Sequence, residues 1–220
     1  MKKYVLILII LLGMICGCKT NSSSLKFKED YELLNDRENK NGLKYRNVNI
    51  DLNNPYEEIT SQDIINKIAN HETFYVYFGD KLCPWCRSVI EKSIEVAKRN
   101  GIEKIYYIPI WDNDGEEVLR DKYVLENDEV VKVVSGSTDY YVLLELFDKL
   151  LKEYTLTNSN GEIVEVNEKR IYAPNFIYIE KGIPIKLITG VSNLQKSFND
   201  ELTNEILNDE DKIFENFFKN

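Results

Sequence analysis

The stretch Phe74-Tyr-Val-Tyr-Phe-Gly-Asp-Lys-Leu-Cys-Pro-Trp-Cys-Arg-Ser-Val89 constrains this chain more than any other. An apolar, aromatic run of strand character ends at Gly79, a short polar turn follows, and a helical pattern starts at the cysteines. Both thiols therefore fall at a strand-to-helix junction, where unpaired backbone N–H groups and the positive end of the helix macrodipole stabilise a thiolate, the nucleophilic form of cysteine. Cys83 takes the N-cap, the more exposed position, and Cys86 lies one turn in, beneath it. This spacing points to Cys83 as the attacking thiol and Cys86 as the resolving thiol. Pro84 suits the first helical position, whose N–H has no intrahelical partner.

Two blander readings compete. A C-x-x-C can be half of a zinc site, but four ligands are usual, and the chain offers no second C-x-x-C pair and a single histidine, His71. An inert structural disulfide is the other, although so small a loop constrains the unfolded chain little. No metal site is expected.

The cysteine motif resembles that of the thioredoxin superfamily. Arg170-Ile-Tyr-Ala-Pro-Asn-Phe-Ile-Tyr-Ile-Glu-Lys-Gly-Ile-Pro-Ile-Lys-Leu-Ile188 is similar to that family's run of cis-proline, strand, Gly turn and strand. The resemblance implies that Pro174 is a cis-proline facing the cysteines, with Ala173 before it. It also implies that Pro84, Trp85, Ala173 and Pro174 contact substrate, although Trp85 reads equally as a packing aromatic. The implied fold is a three-layer α/β/α arrangement on a central mixed sheet. Cys86 and Pro174 stand much further apart than a bare thioredoxin needs, so an insertion over about 111–170 is expected between the active helix and the cis-proline strand. Where thioredoxins carry a buried carboxylate on the strand before the motif, this chain has Tyr77; Asp80, on the turn, is a weaker candidate proton acceptor. The Pro-Trp pair is closer to the Pro-Tyr of glutaredoxins and bacteriocin transport accessory proteins than to the Gly-Pro of thioredoxins.

The first residues stand apart. Lys2 and Lys3 precede an apolar run from Tyr4 to Ile15, too short to span a bilayer comfortably, and Cys16-Gly17-Cys18 follows, the three-part form of a secretory signal. Ile15-Cys16-Gly17-Cys18 resembles a bacterial lipobox with Cys18 in the lipidated slot. That implies a mature protein beginning at Cys18 and held by its acyl chains at the extracytoplasmic face of the cell membrane. An uncleaved N-terminal anchor is the alternative. Loss of Lys2 and Lys3 takes the formal net charge from −9 to −11. That charge argues against nucleic acid as a partner.

Along the chain, residues 18–44 read as a polar tether and residues 45–220 as the folded domain. Tyr45–Ile50 alternates as a first strand. Thr60-Ser-Gln-Asp63 resembles a capping box opening a helix to about Asn70, with His71 as a solvated helix-end residue. Thr73–Phe78 reads as a strand buried on both faces, Pro84–Asn100 as the active helix, and Lys104–Ile110 as another buried strand. Asp112-Asn-Asp-Gly-Glu116 lacks the ligand spacing of an EF-hand and reads as a turn. Two short strands flank Glu126-Asn-Asp128, a helix covers Asp139–Tyr154, and a strand covers Ile163–Val166. After Pro174 a hairpin turns at Lys181-Gly182. A closing helix is expected from Ser192, carrying Leu194, Phe198, Leu202 and Ile206, followed by an apolar stripe of Ile213, Phe214, Phe217 and Phe218.

Taken together, these features point to an extracytoplasmic, membrane-anchored thiol–disulfide oxidoreductase. It would need no cofactor beyond a Cys83–Cys86 disulfide. Its partners would be thiols or disulfides of exported proteins, with a membrane electron donor as a further candidate. A non-catalytic accessory lipoprotein that binds an exported peptide or a transporter is the alternative.

Overall fold

The computed structural model describes residues 22–219. The order of elements is α1 (Ser22–Glu32), β1 (Tyr56–Glu58), α2 (Ser61–Ala69), β2 (Phe74–Gly79), α3 (Pro84–Arg99), β3 (Ile105–Pro109), β4 (Lys122–Glu126), β5 (Glu129–Val134), α4 (Thr138–Phe147), β6 (Lys152–Thr157), β7 (Ile163–Arg170), β8 (Asn175–Glu180), β9 (Ile183–Ile188) and α5 (Asn204–Phe218). Five strands form the main sheet in the order β1-β3-β2-β8-β9, while β4–β5 and β6–β7 form separate hairpins. Strands β1, β3 and β2 run parallel, and β8 and β9 are antiparallel additions. This mixed sheet fits a thioredoxin-like fold.

Every residue of β2 is buried, and its side chains alternate between two cores. Tyr75 and Tyr77 join Phe176 and Tyr178 of β8 under α1, α3 and α5. Phe74, Val76 and Phe78 join Ile177 and Ile179 under α2 and α4. Pleating sends successive side chains to opposite faces, so a strand with no polar position demands a layer on each side. At the β8–β9 turn, Gly182 has φ +75°, and a Cβ there would meet the Ile68 carbonyl oxygen at 2.4 Å, so only glycine fits.

The polar tether expected over 18–44 is corrected from Ser22 onward. Phe27 and Tyr31 lie four residues apart on one face of α1 and are buried, with the Phe27 ring stacked on Tyr56 at a centroid distance of 4.3 Å. Two large apolar side chains in a polar stretch suffice to dock a short helix when the sheet leaves a face uncovered. Residues 45–50, expected as a first strand, form none. Asn35 brackets Val48 with bonds of 2.7 and 2.9 Å, and the Ile50 N–H donates to Glu32 Oε1 at 2.8 Å, so side chains replace a ladder.

The helix expected over 139–154 stops at Phe147, because alternation from Lys152 places Tyr154 inward as β6. Nor is 111–170 wholly an addition: α4 supplies Tyr140, Leu143 and Phe147 to the second core, leaving the two hairpins outside it. The expected helix start at Ser192 is instead an irregular loop. Ser192 Oγ accepts from the Leu194 N–H, and Asp200 Oδ2 accepts from the N–H groups of Lys196 and Ser197, local bonds that compete with a helix. The last helix starts at Asn204, capped by Thr203, and buries Phe214, Phe217 and Phe218.

Phe27→Ala is expected to cost about 3–5 kcal/mol of unfolding free energy in urea titration, and a loss within error of zero would return α1 to a tether. Glu210 of α5 is fully buried, and its carboxylate oxygens have no hydrogen-bond partner among the described residues. Burial pushes its carboxyl from 4.5 up to about 7, opposed by Lys92 and Arg46 and reinforced by Asp209. The unfolded chain releases this proton near 4.5 and the folded chain only near 7, so stability contributed by the held proton is lost as pH rises through that window. Glu210→Gln is expected to flatten the fall of the melting temperature across it; an unchanged fall would assign the effect elsewhere.

Candidate active site

Cys83 caps α3 from an extended backbone conformation and Pro84 opens the helix. The Cys83 sulfur accepts the Cys86 N–H at 3.3 Å, and its thiol donates to the Ala173 carbonyl oxygen at 3.6 Å, across 90 residues of sequence. The Ala173–Pro174 peptide is cis. The structure thus brings Cys83, Cys86, Ala173 and Pro174 into one place. Both cysteines are free thiols; Cys83 keeps 4 % exposure and Cys86 none. Burial first, then the neighbouring Cys83, pushes the Cys86 thiol well above its ordinary range.

Trp85 is half-buried at the rim, with its ring 6.1 Å from Phe198 in a T-shaped contact. It also lines a cavity of about 580 Å³ with Leu151, Tyr172, Ala173, Pro174 and Val191. The β6–β7 hairpin is tied to this groove, because the Tyr172 hydroxyl donates to the Glu153 carbonyl at 2.9 Å and accepts the Thr155 N–H at 3.2 Å. Pro84 faces a different cleft, beside Tyr45 and Phe198.

Asp80 is nearly buried, and burial pushes its carboxyl up to about 6. Its two oxygens accept the N–H groups of Leu82 at 2.8 Å and Trp111 at 3.2 Å, so it clamps the turn before α3 to the segment after β3. His71 is exposed and sits past α2 with φ 56°. Cys18 lies outside the described residues, as does the whole of the expected signal. Among the described residues no helix is long and apolar enough to cross a membrane, and no cluster of histidine, cysteine, aspartate or glutamate could hold a metal ion.

Sequence reasoning missed two supports of the site. Arg87 is 1 % exposed and forms no ion pair with a carboxylate among the described residues; its guanidinium donates to the carbonyls of Arg46, Tyr31 and Lys81 and to Asn35 Oδ1 at 2.7–3.2 Å. It staples α1 and the extended segment to the first turn of α3. Its spacing of three and seven from Ile90 and Ile94 placed it on the inward face, and that was the available signal. The second support is a buried ion network. Glu117 holds Arg120 through both oxygens at 2.7 Å and reaches Arg170 at 3.5 Å, while Arg120 donates to the Ile171 carbonyl at 3.1 Å, two residues before Ala173. Arg170 and Ile171 come from a segment some fifty residues beyond the Glu117–Arg120 pair, and no local pattern brings the two together.

No family model and no curated protein matches the chain. Among solved structures it is similar to a thioredoxin-fold protein from Helicobacter pylori, at 14% identity over 68% of this chain and 85% of that one, with a TM-score of 0.28.

Glu117→Ala leaves two buried guanidinium groups short of their counter-charge, and such a break costs about 3–5 kcal/mol. Urea titration is expected to show a loss of that size; less than about 1 kcal/mol would mean that the network does not hold the cis-proline segment.

Proposed function

We propose that this protein is a thiol–disulfide oxidoreductase working through Cys83 and Cys86. The reading rests chiefly on one observation, the Cys83 sulfur at the N-cap of α3, accepting a backbone N–H and facing the Ala173 carbonyl beside cis-Pro174. A sulfur so placed gains most from the helix terminus when it carries charge. The Cys83 thiolate attacks a substrate disulfide; one substrate sulfur leaves as a thiolate and the other stays bonded to Cys83. Cys86 then attacks Cys83, releasing the second substrate sulfur and closing the Cys83–Cys86 disulfide. Run backwards, the same steps oxidise a substrate dithiol. The exchange draws on no metal or organic cofactor.

The groove beside Trp85 and Pro174 is where a substrate chain would lie, and the β4–β5 and β6–β7 hairpins are additions to a thioredoxin-like sheet, the second walling that groove. The lipobox-like sequence at Cys18 supports a domain held outside the cytoplasm on a lipid anchor, with the cysteines of exported proteins as its partners and electrons supplied or removed at the membrane.

The near burial of both thiols favours a second reading, a binding module that uses the groove without exchanging sulfur bonds. Insulin reduction and oxidation of a reduced model peptide separate the two. The full-length protein is expected to catalyse at least one of these reactions. Cys83→Ser is expected to abolish it, while Cys86→Ser accumulates mixed disulfides visible on non-reducing gels. Activity of Cys83→Ser equal to the parent would refute the exchange.

A further inference from the structure

The groove beside the cysteines holds a polar group that the exchange as written leaves idle. Asn175, the residue after Pro174, is 4 % exposed and lines the groove, and its side-chain Oδ1 is buried with no hydrogen-bond partner among the described residues. It opens β8 opposite Phe78 and two residues before Ile177. Alternation along the strand therefore turns its side chain to the face that carries Phe78 and Ile177, where Leu151 and Leu187 also lie. Both of those leucines line the same groove. The amide thus stands in an apolar wall, two residues from the Ala173 carbonyl that accepts from the Cys83 thiol at 3.6 Å.

A buried oxygen without a donor costs stability, so native chains keep few of them. A leucine of nearly the same shape would carry no such cost. The groove indicates where a donor comes from. Leu151, Tyr172, Leu187 and Val191 line it, and its charged residues are Lys152 and Glu153, of opposite sign, and Arg170, already engaged by Glu117. Such a surface favours an apolar side chain. At about 580 Å³ it is in the range that encloses a whole ligand and not merely two sulfur atoms. A polypeptide carries an N–H at nearly every residue, so a chain whose cysteine is bonded to Cys83 brings a donor to this wall whatever its sequence.

We infer that Asn175 is a substrate-binding residue whose Oδ1 accepts a backbone N–H from an extended polypeptide held on Cys83, while an apolar side chain of that polypeptide fills the groove. The inference rests on the thiol-exchange reading and names its substrate class: cysteine-containing segments of unfolded or partly folded chains, in preference to small-molecule disulfides. The hydrogen bond forms on binding, and no sulfur bond is made or broken through it.

Two disulfides test this with the full-length protein: a short oxidised peptide with leucine beside its cysteine, and a small chromogenic aromatic disulfide that has no peptide N–H. Asn175→Leu is expected to raise KM for the peptide about tenfold with kcat within about twofold, because a hydrogen bond is lost and its donor is stranded. The rate with the aromatic disulfide should stay within about twofold. Urea titration of the free variant should give a midpoint no lower than the parent's, since a partnerless oxygen has been removed. Peptides N-methylated at one residue at a time on either side of the cysteine locate the donor: one position weakens binding to the parent and leaves binding to Asn175→Leu unchanged. Asn175→Ala carries the same kinetic test should Asn175→Leu fail to fold. An unchanged KM for the peptide, equal losses on both disulfides, or N-methylation that weakens parent and variant alike would overturn the role of Asn175 and leave the exchange standing. A parent that uses the aromatic disulfide alone would overturn the substrate class. A parent that uses neither would overturn the exchange itself.

Discussion

Burial of β2 on both faces is the constraint from which the rest of this structure follows. Six consecutive residues, four of them aromatic, leave no side for water, so helices must cover the sheet above and below. Each large side chain so buried contributes about 1.5–3 kcal/mol, which makes the covering layers the main source of stability. The chain leaves this strand at Gly79 and turns through Asp80 directly into α3. The position of Cys83 is therefore set by the sheet, not by the loop that carries it. Strand β8 pairs with β2 in antiparallel register, Phe78 opposite Asn175, and so delivers Ala173 and Pro174 to the same edge.

The two sulfurs inherit opposite surroundings from that geometry. Cys83 keeps 4 % exposure, lies against Ala173, which lines the groove, and accepts the Cys86 N–H at the helix start. Cys86, one turn in, shares a core with Tyr31, Tyr56, Tyr77 and Tyr107 and has no solvent contact. Burying the second sulfur protects it from stray oxidants but penalises its ionisation. Tyr77 fills the core beside it, stacked on Phe176 and Tyr107. Arg87 completes the arrangement: a guanidinium satisfied by three carbonyls and an amide pins the phenol-bearing helix α1 to the cysteine-bearing helix α3.

The parts of this architecture that were legible in the sequence are those whose causes are local. The aromatic run of β2, the cap and proline of α3, the hairpin at Lys181-Gly182 and the turn at Asn127-Asp128 each carry their own chemistry within a few residues, and the structure has an element at each. What stayed hidden depends on partners far away. Helix α1 looks like a solvated stretch until Tyr56 and Tyr107 are brought against Phe27. The segment at Val48 alternates like a strand, yet Asn35 and Glu32 satisfy its backbone. The four-residue recurrence from Leu194 imitates a helix, but Ser192 and Asp200 take up the N–H groups it would need. The Glu117–Arg120 pair is joined to Arg170, fifty-three residues from Glu117, by a contact that no spacing rule predicts.

The account stands on Cys83 and Cys86 forming a reversible disulfide with each other. Equilibrating the full-length protein with glutathione buffers of graded potential, followed by acid quenching, alkylation and mass spectrometry, measures this directly. The expected result is a single two-electron transition in which both cysteines lose their alkylation together and the chain loses two hydrogen atoms. A pair that stays reduced across the whole series, or that is only ever capped singly by glutathione, would contradict it.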